Sequence, residues 1–518
     1  MLSRMERLAF RVLTEIDAVA NRLYGSRRNP LYQSGTIVVA LYLTILVTGL
    51  WLILFYRVAT PWESVASLTA NPWIGNWVRG LHRYASDAAV LATFVHAFRM
   101  FAQGRSWGAR TLAWVSGGIL LVLLLFCGWT GYVLVWDAFG ERLAREGTRM
   151  LDTLPVLSEP TSRTFTGERP VPGVFFFVAL FAHIGIPLGM AVVFWLHIKR
   201  LERPALLPPR ALGWSVVALL SGVAIARPMV MAPAANAFVV PAAVPTDLIF
   251  AFWIPLTRRL DGVSALTAMS AMAIGLLLIP ALTRRRGAAR PPSSTVDEDI
   301  CTGCLQCSLD CPYGAIQMVE RNDSRPTLVA RVDSALCVSC GICAGSCAPM
   351  GVGPPGRTGR DQIAGVQTFL ASPGHRGGIV AICCDHGAGV HASALAAEGT
   401  AIYTVDCAGN LHTSVIEILL RGGAAGILVL ACQLRDCRSR EGPRWLVERM
   451  YHGREAELQT RVDRRRVKVV NVSAGERGLA VAALRAFADE LPALSRSPVD
   501  QTGEIHNVCE PAATGSHA

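Results

Sequence analysis

Two apolar stretches of this chain each carry a pair of histidines fourteen residues apart: His82 and His96 in LHRYASDAAVLATFVHAFRM, His183 and His197 in HIGIPLGMAVVFWLH. Histidine is costly inside a bilayer and ordinary on a soluble helix, so its placement constrains the fold strongly. Fourteen residues of α-helix make nearly four whole turns and about 21 Å. Each pair therefore shares one helix face, with its members at two depths. Four isolated polar residues would have no reason to repeat that spacing on two helices. A proton relay or di-metal site would not need two sites so far apart. Gly35 and Gly49, and Gly117 and Gly131, repeat the same period in two further apolar stretches. Such glycines often serve helix packing, but they also let a flat macrocycle approach the backbone. Two bis-histidine haems stacked across a membrane fit this pattern. Haem with both axial positions filled leaves no site for substrate and suits electron transfer.

The first ~290 residues contain six runs that can be drawn as bilayer spans, roughly 35–56, 80–102, 111–136, 174–198, 212–232 and 263–282. Arg227 and Pro228 interrupt the fifth. The formal charge is +11, nearly all from arginine, with lysine only at Lys199 and Lys468. Arginines cluster before the first span (Arg4 to Arg28), between spans two and three (Arg105, Arg110), after the fourth (Arg200, Arg203, Arg210) and after the sixth (Arg284 to Arg286). All these segments fall on one side, which the positive-inside rule makes cytoplasmic. Membrane topology thus accounts for the basic excess, and nucleic-acid binding is not expected. Residues 1–29 lack the continuous apolar core of a signal peptide and read as an amphipathic surface helix.

The motifs RGLH (79–82), HAFR (96–99), GWTGYVLVWD (128–137) and the two H-x13-H pairs resemble the cytochrome b family of respiratory bc and photosynthetic bf complexes, over residues 30–285. The resemblance implies that His82 and His183 ligate an outer haem b, and His96 and His197 an inner one beside an inner quinone site. Arg79, Arg83 and Arg99 lie near the presumed haem edges as propionate partners. VPTDLIFAFWIPLTRRLDGV (244–263) resembles the segment bearing the family's outer quinol-site PEWY motif. Here Thr246 stands in place of the glutamate and Asp247 follows it, which leaves a proton-accepting role or a structural turn open for Asp247.

After a basic, Pro- and Ala-rich linker (286–295) come CTGCLQCSLDCPYGAI and CVSCGICAGSC, each with C-x2-C-x2-C-x3-C spacing. Fourteen of the fifteen cysteines follow residue 300, twelve of them in clusters, as suits metal ligation in a reducing compartment. Three close thiolates wrap one cubane and the fourth serves the other. Cys301, Cys304, Cys307 and Cys347 are assigned to one [4Fe-4S] cluster, and Cys337, Cys340, Cys343 and Cys311 to the second. A zinc ribbon needs four ligands per site and no such run. Residues 296–352 resemble two-cluster bacterial ferredoxins.

Beyond a Gly/Pro-rich hinge (353–375), residues 376–490 alternate strand and helix patterns, with cysteines at strand C-termini, where open α/β folds bind ligands. Cys383 or Cys384, with Cys407, Cys432 and Cys437, would supply four thiolates for a [2Fe-2S] cluster or zinc; Cys383 is the expected first ligand. DCAGNLHTSVIEILLRGGAAGILVLACQLRDC resembles the delta-subunit family of methyl-viologen-reducing hydrogenases. That likeness implies a [2Fe-2S] domain linking a hydrogenase or dehydrogenase to a heterodisulfide-reductase-like flavoprotein. His386 falls where the family has a second cysteine. Cys127 and Cys509 read as structural. Residues 491–518 form a tail.

The expected fold class is multi-domain: an all-α membrane bundle of about six helices, an α+β ferredoxin-like domain and an open α/β domain. The expected function is a multi-pass, inner-membrane electron-transfer subunit of an oxidoreductase, with quinone as its substrate and cytoplasmic iron–sulfur domains. It would act as a homodimer within a larger complex, carrying two b haems, two [4Fe-4S] clusters and one [2Fe-2S]. A flavoprotein or soluble dehydrogenase would deliver electrons to the [2Fe-2S] domain first. Reverse, quinol- and potential-driven reduction of a low-potential acceptor is one rival. A redox sensor or scaffold is another, though no output domain is legible.

Overall fold

A computed structural model of the chain describes residues 4–26, 28–154, 160–165, 171–236, 247–283, 291–454 and 456–494. Thr246, Arg284 to Arg286, Cys509 and most of the tail lie outside the described residues.

Helix α1 (Arg4–Tyr24) is amphipathic in an unusual sense. It buries Glu6, Leu13, Asp17 and Asn21 and exposes Met5, Leu8, Val12, Ile16 and Val19. An apolar stripe at spacings of three and four faces away from the protein, as a helix lying on a bilayer surface requires. Next come α2 (Ser34–Ile53), α3 (Pro61–Ala70), α4 (Gly75–Ala102), α5 (Thr111–Val135), α6 (Ala138–Leu151), α7 (Gly173–Ile198), α8 (Arg210–Ala226), a short α9 (Ile254–Thr257) and α10 (Gly262–Thr283). Among the described residues, four helical runs are long and apolar enough to cross a membrane: Pro30–Ile53, Gly108–Val135, Gly173–Ile198 and Gly262–Thr283. The 28-residue α4 is as long as these but carries Arg79, Arg83, Asp87 and Arg99.

The fifth expected span, 212–232, ends early, at Ala226. Pro228 has no N–H to continue a helix and drives Arg227 before it out of the helical region. The chain beyond crosses the end of the bundle instead. The Met229 N–H donates to Asn76 Oδ1 (3.0 Å) and Asp137 pairs with Ala234. Asp137 also caps α6, accepting from the N–H groups of Phe139 and Gly140.

The α2–α4 and α5–α7 pairs form the centre of the bundle, each pair antiparallel, with α4 and α7 running the same way. The end of the bundle holding His96 and His197 meets the cysteine-rich half and is called here the near end; the other is the far end.

The next domain is two small antiparallel ladders. β1 (Thr295–Val296) pairs with β4 (Val352–Gly353), and β2 (Ile316–Val319) with β3 (Val329–Val332). One-turn helices α11 (Gln306–Leu309) and α12 (Ile342–Gly345) lie within its two cysteine runs and carry Cys307 and Cys343. The expected hinge (353–375) is not all loop. It contains α13 (Gly359–Leu370), started by a Thr358–Asp361 capping box, and Val366 enters the core of the following domain. The polar run GRDQ, with Arg360 and Asp361 exposed and Gln362 buried, hid that helix from a reading by hydropathy.

The last domain is a four-stranded parallel sheet in the order β6-β5-β7-β8, from β5 (Ile379–Cys384), β6 (Ala401–Val405), β7 (Gly426–Ala431) and β8 (Val467–Asn471). α13, α15 (Thr413–Arg421) and α16 (Gly442–Tyr451) cover one face; α14 (Ala392–Ala397) and α17 (Arg477–Leu494) cover the other. β5 and β7 are buried nearly throughout, as central strands of a two-sided sheet are.

Candidate electron-transfer centres

The four membrane histidines come together in two pairs. His82 meets His183, with ring centroids 6.4 Å apart, and His96 faces His197 at the near end. A metal held between two imidazole nitrogens needs about 6 Å between centroids, from two bonds of about 2 Å and two half-rings of about 1 Å. The far pair fits a bis-histidine iron site by that measure.

Each imidazole is also held from behind. His82 Nδ1 lies 3.0 Å from Thr48 Oγ1 and 3.1 Å from the Ile45 carbonyl. His183 Nδ1 lies 3.0 Å from Thr130 Oγ1 and 3.0 Å from the Cys127 carbonyl. Ser116 Oγ stands 3.0 Å from His197 Nδ1, and Ser34 Oγ 3.4 Å from His96 Nδ1. A carbonyl partner makes Nδ1 the protonated nitrogen and leaves Nε2 as the free ligand, the arrangement that orients metal-binding histidines.

These four hydroxyl residues escaped the sequence reading, yet their signal is simple. Ser34, Thr48, Ser116 and Thr130 each immediately precede one of the four glycines. The glycines in turn make room for the imidazoles. A Cβ on Gly35 would stand 2.8 Å from His96 Cε1, on Gly131 3.0 Å from His183, and on Gly49 and Gly117 3.2 Å from His82 and His197. Cys127 is not a remote structural thiol either, since its Sγ is 3.6 Å from His183 Nδ1.

The three arginines divide. Arg79 donates to Thr69 Oγ1 (3.0 Å) at the far end. Arg83 joins a far-end cluster, donating to Tyr132 Oη (2.7 Å), pairing with Asp247 (2.8 Å) and contacting Asp87. Asp247 does two things there. Its Oδ1 caps a turn through the N–H groups of Ile249 and Phe250, and its Oδ2 accepts from Tyr132 Oη at 2.5 Å. Arg99 is engaged differently from the expectation of a propionate partner. It is buried, and its two forks are taken by Asp17 (2.6 Å) and Asp436 (2.6 Å). A propionate there would compete with two carboxylates.

The ferredoxin cysteines sort into the two expected quartets. Cys301, Cys304, Cys307 and Cys347 line one apolar pocket; Cys311, Cys337, Cys340 and Cys343 line a second. The exchange of the fourth cysteine between runs is therefore built into the backbone. Backbone N–H groups of Ala315, Ser339 and Gly351 point at the sulfurs of Cys311, Cys337 and Cys347, at 3.3–3.4 Å, as ligands of iron–sulfur clusters are commonly tuned. Burial pushes the Cys343 thiol up to about 12 and Cys307 and Cys340 up as well, with neighbouring cysteines adding to it. Bare, these thiols keep their protons, which metal binding displaces.

At the C-terminal edge of the parallel sheet four sulfurs form a ring, but Cys383 is not among them. Cys384 Sγ lies 3.6 Å from Cys432 and also contacts Cys407; Cys437 contacts Cys407 and Cys432. The correction follows from strand geometry, in which successive side chains point to opposite faces. Cys383 enters the α14/α17 core, and Cys384 enters the other face beside Cys432 and Cys437. Cys384 and Cys437 donate to Cys407, and together with Ser439 and the Gly409 N–H they hold it well below the usual thiol range. His386 stays off the ring, 3.3 Å from Asp406 and 3.1 Å from Arg438. His412 caps α15, and its Nε2 donates to the Cys347 carbonyl (3.2 Å), tying this domain to the first quartet. Among the described residues no three His, Cys, Asp or Glu side chains converge on a single-ion site.

Comparison with known proteins follows the same divisions. Residues 20–204 match the family model for cytochrome b/b6/petB. Residues 300–351 match the 4Fe-4S dicluster domain, and residues 379–495 the methyl-viologen-reducing hydrogenase delta subunit. The cytochrome b subunit of the menaquinol:cytochrome c reductase of Geobacillus thermodenitrificans is 25% identical over 162 residues, covering 30% of this chain and 72% of that protein. A chain of a hyperthermophilic respiratory Complex III aligns with 17% identity over 49% of this chain and 75% of its own, with a TM-score of 0.38. The chain is thus a fusion of segments similar to three families. Its apolar helices and cytochrome b-like segment make it a multi-pass membrane protein with a haem b type of electron-transfer domain, joined to a 4Fe-4S domain.

Proposed function

We propose that the chain is the membrane electron-transfer subunit of a quinone-linked oxidoreductase, built to carry electrons between a cytoplasmic donor and the quinone pool. The observation that carries this reading is the double histidine pair, each imidazole backed at Nδ1 and packed on a glycine. His82 and His183 would hold one haem b and His96 and His197 a second, about 21 Å along the helices. The two ferredoxin quartets would hold [4Fe-4S] clusters, and Cys384, Cys407, Cys432 and Cys437 a [2Fe-2S] cluster. When bound, these groups supply one-electron redox chemistry and nothing else is asked of them. The protein's own part is to fix them, exclude water and seat them against one another. Arg203, in the loop after α7, donates to the Leu309 carbonyl (2.9 Å), and the Glu202 N–H to the Pro312 carbonyl (3.2 Å), which joins the loop bearing Cys311 to the membrane half.

With the six spans expected from the sequence and the arginine-rich segments inside, the iron–sulfur domains would lie in the cytoplasm and the bundle in the inner membrane, within a larger, dimeric complex. A heterodisulfide-reductase-like flavoprotein or other soluble dehydrogenase is the proposed donor, by likeness of the last domain to its family alone. The purified protein tests this reading by stepwise redox titration with optical and EPR detection and with haem and iron counts. Two b-type haems and three iron–sulfur signals are expected; absence of haem overturns it.

One observation favours a second reading, with quinol oxidised at the far end and electrons driven inward. Asp247 is held between Tyr132 and Arg83, and in this reading its carboxylate would take the quinol proton.

A further inference from the structure

The four-sulfur ring lies at the junction of the molecule, not at its surface. Cys384, Cys407, Cys432 and Cys437 are all 5% exposed or less. On one side the loop bearing Cys437 is clamped to the near end of the bundle. Asp436 pairs with Arg99 (2.6 Å), one helical turn beyond His96, and contacts Gln103; its carbonyl accepts from Arg105 (3.2 Å). The Arg438 carbonyl accepts from Arg110 (2.8 Å), which leads into α5 and Ser116. On the other side the ring meets the second ferredoxin quartet. Asn410, three residues after Cys407, donates to the Gly341 carbonyl (2.9 Å), between Cys340 and Cys343. Arg449, fully buried, ties the Gly409 carbonyl (2.6 Å) to Ser346 (2.8 Å).

The two halves of the ferredoxin domain differ accordingly. Leu305 and Gly341 occupy equivalent places after the second cysteine of each run, both with left-handed backbone (φ 70° and 75°). Gly341 is covered: a Cβ there would stand 2.5 Å from Asn410 Nδ2. Leu305 is open, 43% exposed at the rim of the first quartet, beside exposed Thr302. A leucine held in a conformation that favours glycine, with its side chain in solvent, is a costly feature to leave uncovered.

We propose that the Cys384–Cys407–Cys432–Cys437 centre is an internal relay between the Cys337 quartet and the His96–His197 pair, and that a soluble one-electron carrier is oxidised at the Cys301 quartet instead. This reverses the order expected from the likeness of the last domain to its family, and it rests on the proposed function. The donor loses one electron, the Cys301 centre gains it, and the same electron leaves toward the near histidine pair. No bond forms or breaks and no proton moves.

The test is EPR on the full-length protein in detergent, with a water-soluble dysprosium chelate added as a relaxing agent. Cys384→Ser and Cys304→Ser assign the signals of the two centres. Should Cys304→Ser lose both ferredoxin signals, Leu305→Gly assigns the first quartet by shifting one line shape with every thiol in place. The chelate is expected to speed spin relaxation of the Cys301 centre several-fold and that of the four-sulfur centre less than twofold. Oxidised haem is expected to speed relaxation of the four-sulfur centre more than that of the Cys301 centre. Equal or opposite chelate sensitivity, or no haem effect on the four-sulfur centre, overturns the proposal. Absence of every iron–sulfur signal in the unmodified protein overturns the underlying functional reading, and this proposal with it.

Discussion

His96 occupies the space that a side chain on Gly35 would need, with its Cε1 2.8 Å from where a Cβ would stand. The glycine is therefore a condition for the imidazole's position and not a general packing device. A Gly35→Leu substitution is expected to leave the protein with one haem of two. The pyridine-haemochrome haem count checks it, and two haems retained would exclude this role for Gly35.

Ser116 gives His197 its side-chain partner at 3.0 Å. Removing a hydrogen-bond partner behind a metal-bound imidazole weakens the ligand and costs roughly 10- to 100-fold in affinity. Ser116→Ala is expected to release haem from the near pair first on dilution and to move that haem's midpoint upward. Optical redox titration reads both, and an unchanged near haem with a shifted far one would contradict the assignment.

Cys383 and Cys384 are neighbours with opposite fates. Cys384→Ser should remove one iron–sulfur EPR signal. Cys383→Ala should keep all signals and lower stability by about 1 kcal/mol, the scale of a small core deletion. An exchange of these two phenotypes would refute the sulfur ring described here.

Arg449 joins two domains through the Ile342 and Gly409 carbonyls and Ser346. Arg449→Ala leaves buried acceptors without donors, at about 1–3 kcal/mol for each such group. Protease cleavage between the ferredoxin and last domains should rise by at least tenfold, with both ferredoxin clusters still bound.

Asp247 separates the two directions of flow. If quinol is oxidised at the far end, Asp247→Asn should slow quinol-driven reduction of the haems by about 100-fold, the usual scale of a lost general base. Reduction of quinone through the near end should change by less than twofold. Equal losses in both assays would make Asp247 a turn-forming residue alone, as its caps to Ile249 and Phe250 already make it in part.

The pairing of histidines and glycines, the sorting of eight cysteines into two quartets and the strand-end placement of the remaining ring were all legible as spacing. Periodicity along a helix, or a fixed loop between thiols, is local information that the chain carries in one dimension. The four hydroxyls beside the glycines were equally visible, but their meaning required knowing that α2 lies on α4 and α5 on α7. The break at Pro228 was marked in the sequence; where the chain went afterwards was not.

By itself, then, the sequence determined which residues can ligate and which segments favour a membrane, because both depend on residue type and period. Only the tertiary structure decided that Cys384 and not Cys383 faces the ring, that Arg99 is bound to Asp17 and Asp436, and that the ring is buried while the first quartet is open. Each of these depends on which surfaces of distant segments come together, and burial and ion pairing between segments hundreds of residues apart leave no periodic trace in either one.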